Sequence, residues 1–183
     1  DAFTGYFDTE KEDIDKPYNG KMSINIPLTR PFAKLRVITT DMEQLNDLVI
    51  TPTSAEVEYT TDLYSSFNAF AGAVNTATMA KTHTTFPIKD YTDNVDNKSK
   101  VLFTDYFFAA DQEEVVNFNL SVYEKNGTII GETINFNTPI PAQRNYLTTI
   151  TGDILTDGNN IKVEVENDGN FKGEIEEKIV EVG

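Results

Sequence analysis

The sequence predicts an all-β protein, an antiparallel sandwich, on three observations. Apolar and polar residues alternate with a period of two at four separate places, as in strands with one buried and one wet face. Turn pairs punctuate those runs: Asn126-Gly127, Asp157-Gly158 and Asp168-Gly169. Thr (23 residues) and Asn (17) are abundant, and both suit solvated strand faces and turns better than helices.

Taken in chain order, Ala2–Phe7, Met22–Leu28 and Phe32–Thr39 are the first candidate strands. In the second of these, Ile24, Ile26 and Leu28 share one face. Asp41 is expected to cap a short helix through Leu48, because Asp41 to Gln44 resembles a capping box. Ala55, Val57 and Tyr59 then alternate with Glu56 and Glu58. Residues 61–82 lack periodicity and offer one candidate strand near Phe67–Phe70, while 90–100 reads as a solvated loop. Val101–Phe108 is apolar on both faces apart from Thr104 and Asp105, which predicts a central strand. Val116–Glu124 and Thr128–Phe136 flank Asn126-Gly127 as a hairpin, and Asn145–Ile154 and Ile161–Val165 flank Asp157-Gly158.

About a dozen short strands suggest a sandwich and part of another. The preferred boundary lies in Asp41–Asp47: residues 1–42 as the C-terminal part of a first lobe, 43–166 as a complete second lobe, and 167–183 as a tail. Three strands are thin for a core of their own, so the first segment is either the end of a lobe or an extension of the main sandwich.

Charge and composition exclude several functions. Thirty acidic against 15 basic residues give a net charge of −15, which disfavours nucleic-acid backbones and anionic membrane surfaces as partners. The longest apolar run, Tyr106–Ala110, is far too short to span a bilayer. With no Cys and one His, thiol chemistry, disulfides and His-pair metal sites are absent. The start at Asp1, without Met or an apolar leader, is read as a removed signal or an interior start.

His83, in a polar stretch before Phe86-Pro87, has an exposed loop or edge-strand position as its ordinary explanation, against a catalytic or metal-binding role. Glu56/Glu58 and Glu164/Glu166 sit at i, i+2 on wet strand faces, where solubility explains them better than glycosidase chemistry. The oxygen-rich loops 93–97 and 167–170 do not match an EF-hand and are read as turns. Aromatic residues fall mostly on inward positions, and no Trp is available as a sugar platform. No catalytic residue, metal site or cofactor is assigned.

The C-terminus is the most unusual stretch. Phe171 to Val182 is read as an extended strand, although Ile175, Ile179 and Val182 also fit a helical stripe. Such a strand can lie at its own sheet's edge or join a neighbour's sheet. Burying Ile175, Ile179, Val180 and Val182 is worth about 6–12 kcal/mol before ordering costs.

Two stretches carry a family resemblance. Leu28-Thr29-Arg30-Pro31-Phe32-Ala33-Lys34-Leu35-Arg36-Val37 resembles a strand of fimbrillin-like proteins, the subunits of type V pili and related surface lipoproteins of Gram-negative anaerobes. Pro141-Ala142-Gln143-Arg144-Asn145-Tyr146 through Thr156 is similar to a second segment of that family. The residues themselves read as structural. Pro31 suits an edge or strand start, Arg30 can bridge to a carboxylate or carbonyl, and Arg144-Asn145 can satisfy turn backbone. The resemblance implies transthyretin-like sandwich lobes, secretion as an outer-membrane-anchored or fimbrial lipoprotein, and assembly by strand exchange. It also implies that the sequence begins inside the first lobe, since no lipobox and no Arg precede Arg30. The resulting expectation is a non-enzymatic pilus subunit or cell-surface adhesin component. Its partners would be other pilus subunits and a host or bacterial surface protein or glycan. Its donor strand would be Gly173–Val182, with Gly173, Ile175, Ile179, Val180 and Val182 in polymerisation and Arg30, Pro31, Phe32, Arg144 and Asn145 as structural motif residues. The rival expectation is a surface glycan-binding protein.

Overall fold

The structure, a computed structural model, describes residues 29–88 and 98–167. Its strands are β1 (Phe32–Thr39), β2 (Ser54–Tyr59), β3 (Leu63–Tyr64), β4 (Phe67–Asn68), β5 (Ala73–Val74), β6 (Met79–Ala80), β7 (His83–Pro87), β8 (Lys100–Phe108), β9 (Glu114–Tyr123), β10 (Ile134–Ala142), β11 (Tyr146–Asp153) and β12 (Asn159–Asn167). One short helix, α1 (Met42–Asp47), follows β1. The strands form two facing layers, β12-β11-β1-β8-β3-β6 and β10-β9-β2-β7, with β4-β5 as a separate hairpin. This is an all-β sandwich.

The alternation read from the sequence places the core. Leu35 and Val37 on β1, Val57 and Tyr59 on β2, Leu120 and Val122 on β9, and Ile150 and Val163 on β11 and β12 are all essentially inaccessible. Aromatic rings lock the layers together: Phe103 stacks on Phe86 at 5.3 Å and meets Phe118 edge-on at 5.8 Å, while Phe118 stacks on Phe136 at 4.6 Å. Each such side chain contributes about 1.5–3 kcal/mol on burial.

Five expectations change in detail. Pairing is antiparallel except between β1 and β11, which run parallel, Lys34 opposite Leu147 through Thr39 opposite Gly152. Strand β1, expected before a lobe boundary at 42, lies inside the six-stranded sheet between β11 and β8. For residues 32–42 the extension of the main sandwich is therefore the arrangement found; Ala2–Phe7 and Met22–Leu28 lie outside the described residues. The Asp41 side chain makes no cap bond to α1. Residues 61–82, expected to hold one strand, form four two-residue strands. The Asn126-Gly127 turn is present, with Gly127 at φ 84° and its N–H donating to the Glu124 carbonyl at 2.9 Å. Regular pairing with β9 resumes only at Ile134.

Candidate functional site

The two motif stretches, more than a hundred residues apart, meet at one end of the six-stranded sheet. The Asn145 N–H donates to the Phe32 carbonyl at 2.8 Å, and the Arg30 N–H reaches Asn145 Oδ1 at 3.5 Å. Asn145 takes φ 73°, a conformation that Asn tolerates better than most residues. Pro31 sits immediately before β1, where its missing N–H costs no ladder bond, and its carbonyl accepts from the Ala109 N–H at 3.3 Å.

From that junction a stack of side chains runs outward. Phe32 stacks on Phe108 at 4.8 Å, Phe108 on Phe67 at 6.2 Å, and the Arg144 guanidinium lies 5.6 Å from the Phe67 ring centre. Arg144 also donates to the Gly72 carbonyl and to Asp111 Oδ1, the latter at 2.9 Å. The planar guanidinium thus holds the β4-β5 hairpin against the sheet through one carbonyl, one carboxylate and one ring. Arg30, Pro31, Phe32, Arg144 and Asn145 converge here as a structural joint, with no nucleophile or base among them.

At the opposite end, Asp41 is fully buried. One carboxylate oxygen accepts from the Thr39 hydroxyl. The other accepts from the Leu155 and Thr156 N–H groups at 2.8 Å each and from the Thr156 hydroxyl at 3.0 Å. Four donors compensate the burial of one charge, so Asp41 ties the end of β1 to the β11-β12 turn. Sequence reasoning took it for a helix cap; no local signal pointed to the distant loop. Gly152, in the second motif, lies so close to β12 that an added Cβ would sit 2.9 Å from the Ile161 Cα.

A second buried polar pair links the layers. The Tyr59 hydroxyl on β2 donates to Asp105 Oδ2 on β8 at 2.9 Å. Burial raises the Tyr59 pKa well above its ordinary value, and the adjacent Asp105 charge raises it further. Burial likewise raises Asp105, against the opposing pull of its bonds from Tyr59 and the Tyr106 N–H. His83, on edge strand β7, is exposed and pairs with Glu56 at 2.6 Å. Among the described residues no group of three or more acidic or His side chains is placed to hold a metal ion.

The sheet edges differ in how they are protected. Strand β10 carries Pro139 and Pro141, β7 ends on Pro87, and β12 presents Lys162, Glu164 and Glu166. Prolines and charges are the standard means of blocking strand addition. Strand β8 is different. On the flank away from β1 it meets β3 only at Phe108, opposite Tyr64. Val101–Phe107 has no strand partner there among the described residues, no proline, and a single charge at Asp105. The Tyr106 N–H donates to Asp105 Oδ1 at 2.8 Å.

The profile of a family of unknown function, DUF6562, matches residues 1–182. The chain belongs to that family. None of the curated proteins compared with it matches. In this DUF6562 protein the motif residues assemble a structural joint between the start of β1 and the turn before β11. The candidate donor residues Gly173, Ile175, Ile179, Val180 and Val182 lie outside the described residues, as do the loops 93–97 and 168–170.

Proposed function

We propose that this DUF6562 chain is a structural subunit of a pilus, or a component of a cell-surface adhesin, that assembles by β-strand complementation and carries no enzymatic activity. The observation that supports this most is the flank of β8. An extended segment laid along Val101–Phe107 would satisfy backbone groups that no described strand satisfies, and would extend the six-stranded layer where proline does not forbid it. The donor in this reading is Gly173–Val182, which as a strand puts Ile175 and Ile179 on one face and Val180 and Val182 on the other. The fimbrillin-like resemblance, with its transthyretin-like lobes and outer-membrane or fimbrial location, belongs to the same proposal.

The test uses the chain truncated after Asn167 and a synthetic peptide of residues 171–183. Saturable binding with slowed amide exchange at 101–107 is expected. Loss of polymer ladders from cell-surface extracts should accompany the truncation, with the subunit still folded. Unchanged ladders, or exchange protection elsewhere, would remove the donor or the acceptor assignment.

One observation favours the glycan-binding alternative. Phe70 is 88% exposed at the tip of the β4-β5 hairpin. It is fixed there because Asn68 Oδ1 accepts from the Phe70 and Ala71 N–H groups at 3.0 and 3.1 Å. An exposed ring on an anchored turn offers a stacking face to a sugar. Titration calorimetry against a glycan panel, with Phe70→Ala as the comparison, separates the readings: heat that the variant abolishes supports glycan binding.

A further inference from the structure

A pocket of about 370 Å³ opens between the narrow flank of the six-stranded sheet and the start of β9. Its walls are apolar, formed by Leu63, Met79, Phe107 and Val116, and two carboxylates, Asp62 and Glu114, also line it. Among the described residues no basic side chain lines it. Glu114 Oε1 accepts from the Tyr64 hydroxyl at 2.7 Å, and that bond helps push the Tyr64 pKa up to about 12, so the hydroxyl stays a donor. Glu114 is exposed and keeps acceptor capacity toward solvent.

This donor-acceptor balance selects a ligand. An anion would face two carboxylates inside a chain of net charge −15. A neutral polyol needs donors and acceptors in alternation; the Tyr64 hydroxyl is committed to Glu114, which leaves the Thr61 hydroxyl as a donor beside two carboxylates. An ammonium group on an alkyl stem satisfies both parts, with methylenes against Leu63, Phe107 and Val116 and the charge toward Asp62 and Glu114. A neighbouring edge says how such a group would be presented. Met79, 44% exposed, lines the pocket and belongs to β6, the outermost strand of its sheet. An extended polypeptide along β6 would place an alternate side chain over the opening.

From these features we infer that the pocket receives a lysine side chain carried by an extended segment of a partner protein, bound through the lysine's charge and stem and through the β6 backbone. This site shares the Phe107 side chain with the β8 segment of the polymerisation reading, but it engages the backbone of β6 rather than that of β8, so the two readings can fail separately.

The experiment titrates the full chain with acetyl-Thr-Val-Lys-Val-Thr-amide while amide shifts are followed by NMR. The comparison peptides replace Lys with norleucine, which keeps the stem, or with Glu. The lysine peptide should saturate, with shifts centred on residues 61–64, 79–80 and 114–116. The norleucine peptide should bind about five- to tenfold more weakly, the Glu peptide not at all, and added salt should weaken the lysine peptide. Glu114→Gln, at an exposed position that leaves the Tyr64 bond possible, should erase most of the preference for lysine over norleucine. Equal binding of the lysine and norleucine peptides, shifts centred elsewhere, or no saturation would each overturn the inference.

Discussion

Along one side of the six-stranded sheet, β12, β11, β1 and β8 run against each other for most of their lengths. On the other side, β3 and β6 pair over two residues, and β3 touches β8 at one. The long side is held by continuous ladders over a core of inaccessible Leu, Val and Ile. The narrow side is held by individual side chains: Arg144 on Gly72, Asp111 and Phe67, Tyr64 on Glu114, and Ser65 on Thr78. The difference separates two roles. The long side supplies cooperative stability, whereas the narrow side can open locally without unfolding the rest, which is the property expected of a surface used for binding.

That contrast can be tested from its strongest consequence downward. Ile150→Ala, in the middle of β11, should cost about 2–5 kcal/mol in denaturant unfolding and destabilise the whole sandwich at once. Asp41→Ala should cost about 3 kcal/mol by the same measurement, because the buried Leu155 N–H and the part-buried Thr156 N–H lose their acceptor. Arg144→Ala should behave differently. Hydrogen exchange should quicken across residues 65–80 while β11 and β12 stay protected, with a global loss of only about 1–2 kcal/mol. Uniform destabilisation by this variant would erase the distinction between the two sides.

The cross-layer pair gives a pH signature. Since burial raises Asp105 above its unfolded value, the folded state favours its protonated form. The stability linked to that proton is present below the unfolded pKa and is lost as pH rises through the folded one. Asp105→Asn keeps an acceptor for Tyr59 and removes the charge. Its stability relative to the natural chain should therefore improve as pH rises from about 4 toward neutrality. A difference that stays flat over that range would contradict the assigned cause. The smallest effect is local. Val49, 85% exposed, takes φ 60° after α1, where its N–H donates to the Asn46 carbonyl and the Ile50 N–H to the Leu45 carbonyl. A β-branched residue is strained in that helix-terminating position, so Val49→Gly should raise stability by about 1 kcal/mol in thermal unfolding.

The long side was legible in the sequence and the narrow side was not. Strands β2, β9 and β12 announce themselves by alternation, β8 by a run apolar on both faces, and the turns at Asn126-Gly127 and Asp157-Gly158 by local chemistry. Residues 61–82 have no such period because their two-residue strands are too short to show one. The motif residues were recognisable as structural, but their meeting was not: Phe32, Phe108, Phe67 and Arg144 come from four segments. Asp41 was misread because a helix cap is a local pattern, whereas three of its four donors lie 114 or 115 residues away.

By itself, then, the sequence determined the all-β class, the inward faces of β2, β9 and β12 and the net acidity, since period, turn residues and charge are properties of neighbours along the chain. Tertiary structure alone decided the parallel placement of β1 beside β11, the convergence of the two motifs, the flank of β8 that no described strand pairs, and the pocket beside β6 with its two carboxylates. Each of these depends on which distant backbone edges come to lie side by side, and pairing partners leave no periodic trace in a single chain.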